Sequence, residues 1–129
     1  VATVVSSDVA FAALKSDGSV VTWGDATGGG DSDAVQDRLR SVRSISSTKA
    51  AFAAVVESGF VVTWGAANAG GNSAAVEQEL QTVDRVYSNP CAFAAVLASG
   101  AVVAWGDSRC GGDTSAVGHQ LANNVREIV

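Results

Sequence analysis

The chain has little of what catalysis usually requires. Its 129 residues include one histidine, one proline and no methionine. The single histidine, His119, has no second imidazole to act with, and no Gly-x-Ser-x-Gly motif is present, so no Ser-His-Asp triad is evident. The glycines at 28–30 are not followed by the Lys-Ser/Thr of a phosphate-binding loop. We therefore expect a protein that is not an enzyme and that binds no cofactor.

Positive charge is also scarce, and long apolar runs are absent. Eight lysines and arginines are outnumbered by thirteen aspartates and glutamates, which gives a formal net charge of −5. Such a chain lacks the basic stripe that neutralises phosphates, so nucleic acid is not an expected partner. No apolar run approaches the roughly 18 to 20 residues that cross a bilayer, so we expect no membrane span. A chain that opens Val1-Ala2-Thr3 without methionine is interpreted as a processed or excerpted segment.

What the chain does have is an internal repeat of 41 residues. An Ala-Phe-Ala-Ala string is followed at a fixed distance by Trp-Gly in every copy, at Trp23, Trp64 and Trp105. Registered on the tryptophans, the chain divides into three units and the start of a fourth: 1–41, 42–82, 83–124 and 125–129. The sequence therefore predicts a single repeat array, whose function belongs to the array rather than to one pocket.

Each unit is predicted to contain three strands and a short helix. In the second unit the strands are expected at residues 42–47, 51–56 and 61–64. Gly59, between the last two strands, supplies the positive φ that a tight hairpin turn requires. Apolar residues on both faces of residues 51–56 are typical of a strand that is covered on both sides. A glycine-rich loop then leads to a predicted helix of two to three turns, with N-caps at the equivalent positions Asp31, Asn72 and Asp113.

Aromatic and leucine positions recur with the repeat and are predicted to form its core. A single unit of this size cannot cover its own apolar faces, so adjoining copies are expected to bury one another. The predicted core residues are Phe11, Trp23, Leu39, Phe52, Trp64, Leu80, Phe93, Trp105 and Leu121. An exposed tryptophan would instead be a stacking platform for sugars or bases, and the sequence leaves this alternative open.

Both cysteines lie in the third unit, at Cys91 and Cys110, where the second unit has Ala50 and Ala69. Their joint appearance in one copy predicts a disulfide, with a pair of buried thiols or a metal site as alternatives. Two sulfurs alone cannot complete a zinc shell. A disulfide closing this loop would contribute about 3 kcal/mol and would indicate an oxidising compartment. The expected location is therefore extracellular or at the cell surface.

The acidic residues after the first tryptophan raise the question of a calcium site. Carboxylate oxygens such as those of Asp25, Asp31 and Asp33 are the ligands that calcium prefers. At the equivalent positions the second unit has Ala66, Asn72 and Ala74. Turn and cap roles explain the same acids without an ion, so no metal site is predicted.

The segment at residues 10–25 resembles the repeat of the regulator of chromosome condensation family. In that repeat an apolar strand ends in an acidic-Gly turn, here Asp17-Gly18, and the next strand ends in Trp-Gly, here Trp23-Gly24. The resemblance implies β-propeller blades that serve as interaction platforms, a nuclear nucleotide-exchange factor being one member. The 41-residue unit is shorter than the usual one and is similar to the short repeats of large repetitive proteins of bacteria and marine protists. No nucleotide-exchange residue can be carried over.

Two architectures fit a β-rich array of three strand-strand-strand-helix units. An open array or solenoid is favoured by the helix in every unit and by the start of a fourth copy, and a partial β-propeller completed by other chains is the alternative. Neither end has the sequence of a polar cap. The leading hypothesis is a non-catalytic structural module that self-assembles with its own copies, end to end, into a surface or extracellular fibre. The alternative is a propeller-type binding module that recognises a protein or glycan.

Overall fold

Three antiparallel sheets of three strands follow one another along the chain in the computed structural model. The structure describes residues 3–107, apart from the side chains of residues 74, 75 and 77. The strands are β1 (Thr3–Ser6), β2 (Ala10–Leu14) and β3 (Val20–Gly24); β4 (Val42–Ser47), β5 (Ala51–Val56) and β6 (Val61–Gly65); and β7 (Val83–Ser88), β8 (Ala92–Leu97) and β9 (Val102–Gly106). In each sheet the middle strand pairs with both neighbours. The predicted order of three strands per unit is confirmed.

The helical segments differ from the prediction in type and in start. Two short 3-10 segments follow each of the first two sheets, at Ala26–Gly28 and Asp33–Arg38, and at Ala67–Ala69 and Ala74–Glu79. Six residues are too few for two to three turns of α-helix, and 3-10 geometry is typical of such short pieces. The residue that precedes Asp33–Arg38 is Ser32, so the predicted N-cap Asp31 is one position early. Asp113 lies outside the described residues.

The strand β5 is buried along its whole length because it lies between two neighbouring units. Alternate side chains of a strand point to opposite faces. One set packs with Phe93 and Trp105 of the third unit, namely Ala51, Ala53 and Val55. The other set packs with Ala10 and Ala12 of the first unit, namely Phe52, Ala54 and Val56. The predicted coverage of this strand on both faces is confirmed, and the core consists of the seams between units.

Backbone hydrogen bonds join successive units at equivalent positions. Asp8 N donates to Lys49 O at 2.8 Å, and Lys49 N donates to Pro90 O at 2.9 Å. Near the hairpin turns, Val42 N donates to Gly18 O at 3.0 Å and the same bond recurs one unit later. These bonds recur at equivalent positions of successive units and fix the register between them.

The predicted core residues fall into two groups in the structure. Six are buried, with no more than 4% of each exposed: Leu39, Phe52, Trp64, Leu80, Phe93 and Trp105. Phe11 and Trp23 are not core residues, because within the described chain no preceding unit covers them. Leu121 lies outside the described residues. No helix of the described part of the chain has the length and apolar character that a membrane crossing needs.

Candidate interaction face

A stacked pair of phenylalanine and tryptophan recurs in every unit. The two residues are direct cross-strand partners, Phe11 with Trp23 in the first sheet and their equivalents in the others. Their ring centroids lie 5.5, 5.4 and 5.3 Å apart in the three units, with interplanar angles of 20°, 22° and 28°. The register of the hairpin therefore builds the same aromatic surface three times, as aromatic cross-strand pairs do.

In the second unit this pair is covered by a loop of the first. We call residues 25–30 and 66–71 the first and second glycine loops. Trp64 Nε1 donates to the carbonyl oxygen of Gly29 in the first glycine loop at 3.1 Å. Gly29 has φ +104°, and a Cβ there would lie 2.4 Å from Phe52 Cδ2. Only glycine allows the backbone to approach the ring this closely.

The same contact recurs one unit later. Trp105 Nε1 donates to Gly70 O at 3.0 Å, and a Cβ on Gly70 would lie 2.5 Å from Phe93 Cδ2. Each glycine follows the tryptophan of its own unit by six residues, as Gly29 follows Trp23. This bond between units was not predicted from the sequence, although the constant spacing between tryptophan and glycine is the signal that could have revealed it.

The first glycine loop is anchored to its own unit while it reaches the next. Ser7 Oγ donates to Gly28 O at 2.9 Å. Asp25 Oδ1 accepts from Thr27 N at 2.9 Å and from Thr27 Oγ1 at 2.6 Å. These hydrogen bonds lower the pKa of the Asp25 carboxyl, because they favour its charged form. Asp25 thus holds the turn that presents Gly29.

The acids considered as calcium ligands take part in turns. Asp31 Oδ1 accepts from Asp33 N at 2.9 Å, and Asp25 makes the bonds just described. Within residues 3–107, no three histidine, cysteine or acidic side chains lie close enough together to hold a metal ion. Cys91 is buried in the third unit, but Cys110 and His119 lie outside the described residues. The Cys91–Cys110 disulfide stays a prediction.

The first unit presents its aromatic pair to solvent. Phe11 and Trp23 are 45% and 46% exposed, and Val4 and Val21 on the same side of the sheet are 52% and 49% exposed. We call these four residues the leading face. Within residues 3–107 no hydrogen bond involves Trp23 Nε1, the atom whose equivalents bind Gly29 and Gly70. The leading face is therefore the exposed apolar surface to consider as a candidate for interactions.

Comparison with known proteins shows the fold. No protein-family model matches the chain, and no curated protein matches it. Among solved structures it is similar to yeast RCC1 (Prp20) in complex with Kap60, with a TM-score of 0.57 and 16% identity over 81% of this chain. It is also similar to human WBSCR16, with a TM-score of 0.59 and 18% identity over 92% of this chain.

The chain spans 29% of the RCC1 chain and 38% of the WBSCR16 chain. At these identities the likeness establishes the fold alone. The three sheets are propeller-type repeats of the RCC1 kind, the fold that the sequence resemblance implied. Within the described residues they form an open β-rich array without a closed barrel, which fits a partial propeller.

Proposed function

We propose that this chain is a non-catalytic structural module that associates with copies of itself through its leading face. One observation carries the proposal. The second and third units bury their Phe–Trp pairs against a preceding unit, whereas the same pair in the first unit lies open to solvent. A surface that is core in two units is suited to become an interface in the first.

The size of the leading face indicates the strength of such an association. Covering its two rings would remove on the order of 200 Å² of apolar surface from water, which corresponds to about 5 kcal/mol. Lost translational and rotational freedom costs roughly 4–15 kcal/mol. The valines and the backbone contacts must therefore contribute as well, and we expect association on the order of micromolar rather than nanomolar.

The assembly we propose is an end-to-end fibre of short RCC1-type repeats, like those of large repetitive proteins. Its location would be extracellular or at the cell surface, the oxidising compartment that a Cys91–Cys110 disulfide would suit. The acidic net charge of −5 is compatible with either location. It also disfavours nucleic acid as a partner, because phosphates would be repelled.

Light scattering and electron microscopy on the purified chain test the proposal. The weight-average mass should rise with concentration through the micromolar range, and elongated particles should appear. Phe11→Ser should abolish the rise, since it places a hydroxyl on the leading face. Phe60→Ser is the matched control, because Phe60 is 50% exposed but lies outside that face. A monomer at every concentration contradicts the proposal.

A second candidate function is a propeller-type binding module for a protein or glycan. The solved complex of yeast RCC1 with Kap60 shows that a protein of this fold has a protein partner. Trp23, with nearly half of its surface exposed, is also suited to stacking on a sugar ring. A glycan screen and a protein pull-down, read by tryptophan quenching and by loss of binding in Trp23→Ala, distinguish this function from self-association.

A further inference from the structure

We propose that a cleft between the first and second units binds a medium-chain aliphatic carboxylate. The cleft has a volume of about 350 Å³. It lies between the 3-10 segment Asp33–Arg38 of the first unit and the β5–β6 hairpin of the second. The inference does not depend on self-association, because no residue of the leading face belongs to the cleft. The side chains that line it are Arg38, Val56, Phe60, Val61, Val62 and Leu80.

The apolar part of the cleft does not repeat along the chain. Phe60, in the turn between β5 and β6, is 50% exposed, whereas the first and third units have Ser19 and Ala101 at the equivalent positions. Val56 is likewise replaced by Lys15 in the first unit. Half of Phe60 lies in water, so covering it with an apolar group is favourable. The turn of the second unit is therefore suited to an apolar ligand, and the turn of the first is not.

Arg38 determines the charge of the ligand. Of the described residues that line the cleft, it alone has a polar side chain. It also begins a locally basic segment, Arg-Leu-Arg-Ser-Val-Arg at residues 38–43, in a chain whose net charge is −5. A guanidinium has five N–H donors, so it can bind a carboxylate in addition to a partner within the chain. A ligand with an anionic head and an apolar tail matches this combination.

The size and chemistry of the cleft favour an alkyl chain over a peptide or a sugar. At about 30 Å³ for each non-hydrogen atom, the cleft holds roughly a dozen atoms, which is the size of decanoate. A peptide or sugar would place amides or hydroxyls against Val61, Val62 and Leu80, whose side chains offer no hydrogen bond. Polar groups buried without partners are costly, whereas methylene groups are favoured there.

Titration of the unmodified chain with straight-chain carboxylates, followed by amide NMR shifts, tests the inference. Affinity should rise about threefold to fourfold with each methylene from butanoate to decanoate and then level off. The shifts should concentrate at residues 56–62, and the equivalent hairpin of the first unit, residues 15–21, should not respond. Octanamide, which has no charge, should bind about fivefold more weakly than octanoate. Equal affinity for the two overturns the role of Arg38, and shifts without this localisation overturn the site.

Two variants take their new residues from other units of the same chain, which keeps them compatible with the fold. Phe60→Ser introduces the residue of the first unit at this position, and Arg38→Glu introduces that of the second. Phe60→Ser should weaken octanoate binding by about fivefold to tenfold. Arg38→Glu should weaken octanoate binding by roughly tenfold and leave octanamide binding unchanged. Equal losses for both ligands would overturn the charge assignment, and unchanged octanoate binding in either variant would overturn the site.

Phe11→Ser is the matched control for the cleft. Phe11 is an exposed phenylalanine of the leading face, so this variant should bind octanoate as the unmodified chain does. Loss of self-association in Phe11→Ser with full octanoate affinity separates the two proposals. A chain that never associates but binds octanoate refutes only the proposed function. A chain that associates but does not bind octanoate refutes only this inference.

Discussion

The first and second units contain the same strand sequence, Val-Val-Thr-Trp-Gly, in the same pairing with the middle strand. Their tryptophans nevertheless differ tenfold in exposure, 46% for Trp23 and 4% for Trp64. The ring stacking is the same in both. Burial in this protein is therefore a property of the neighbouring unit rather than of the local sequence.

The comparison also assigns a direction to each unit. One side of a sheet receives the glycine loop of the unit before it, and the other side packs on the sheet of the unit after it. The first unit uses the second kind of contact through Ala10, Ala12 and Val20. Its leading face is the side that, in the second and third units, is covered by the preceding unit. This is expected for a repeat whose copies contact only their neighbours.

The largest effect should be on the free energy of unfolding when each of the two tryptophan rings is removed in its own variant. Trp64→Ala removes a buried ring and should cost roughly 3–5 kcal/mol of unfolding free energy. Trp23→Ala should cost less, roughly 1–2 kcal/mol in the monomer, because nearly half of that residue is already in water although its stacking on Phe11 is lost. Urea unfolding at a concentration low enough to suppress association measures both. Equal losses would show that Trp23 is buried in solution and would remove the difference between the units.

The next largest effect concerns the second glycine loop, which covers the Phe93–Trp105 pair of the third unit. Gly70→Ala places a Cβ against Phe93 at a residue with φ +100°. We expect a loss of about 2–4 kcal/mol from backbone strain and overpacking together. Asn68→Ala is the matched control, since Asn68 is exposed in the same loop and should change stability by less than about 0.5 kcal/mol. A neutral Gly70→Ala would mean that the loop does not press on the ring.

The strands could be predicted because their signals are local. β-branched runs and the hairpin glycine determine β5 and β6, and the expected bounds agree with the structure to within one residue. The helical segment was harder, because the local sequence does not distinguish a six-residue 3-10 segment from a short α-helix. Leu39, which follows this segment, packs in the core between the first two units. The local sequence could not predict that Phe11 is exposed and Phe52 is buried. Both lie in the same Ala-Phe-Ala-Ala string, and they differ only in the neighbouring unit that covers them.

The smallest effect distinguishes the hairpin turns of the two units. In the first turn Asp17 Oδ1 accepts from Ser19 N at 3.0 Å and from Ser19 Oγ at 2.6 Å, whereas the second turn has Ser58 and Phe60 at these positions. The side-chain bond from Ser19, followed by the backbone bond, lowers the pKa of Asp17 below 3.8.

A depressed pKa in the folded state means that the stabilising effect of the Asp17 charge is present at neutral pH. This stabilisation is lost as the pH falls below 3.8 and through the lower folded value. Asp17→Asn should therefore be slightly less stable than the unmodified chain at neutral pH, and the difference should vanish in acid. Paired urea midpoints at the two pH values measure it. A difference that grows on acidification would contradict the turn geometry, and Ser58→Asn, at the uncharged equivalent turn, should show no pH-dependent difference at all.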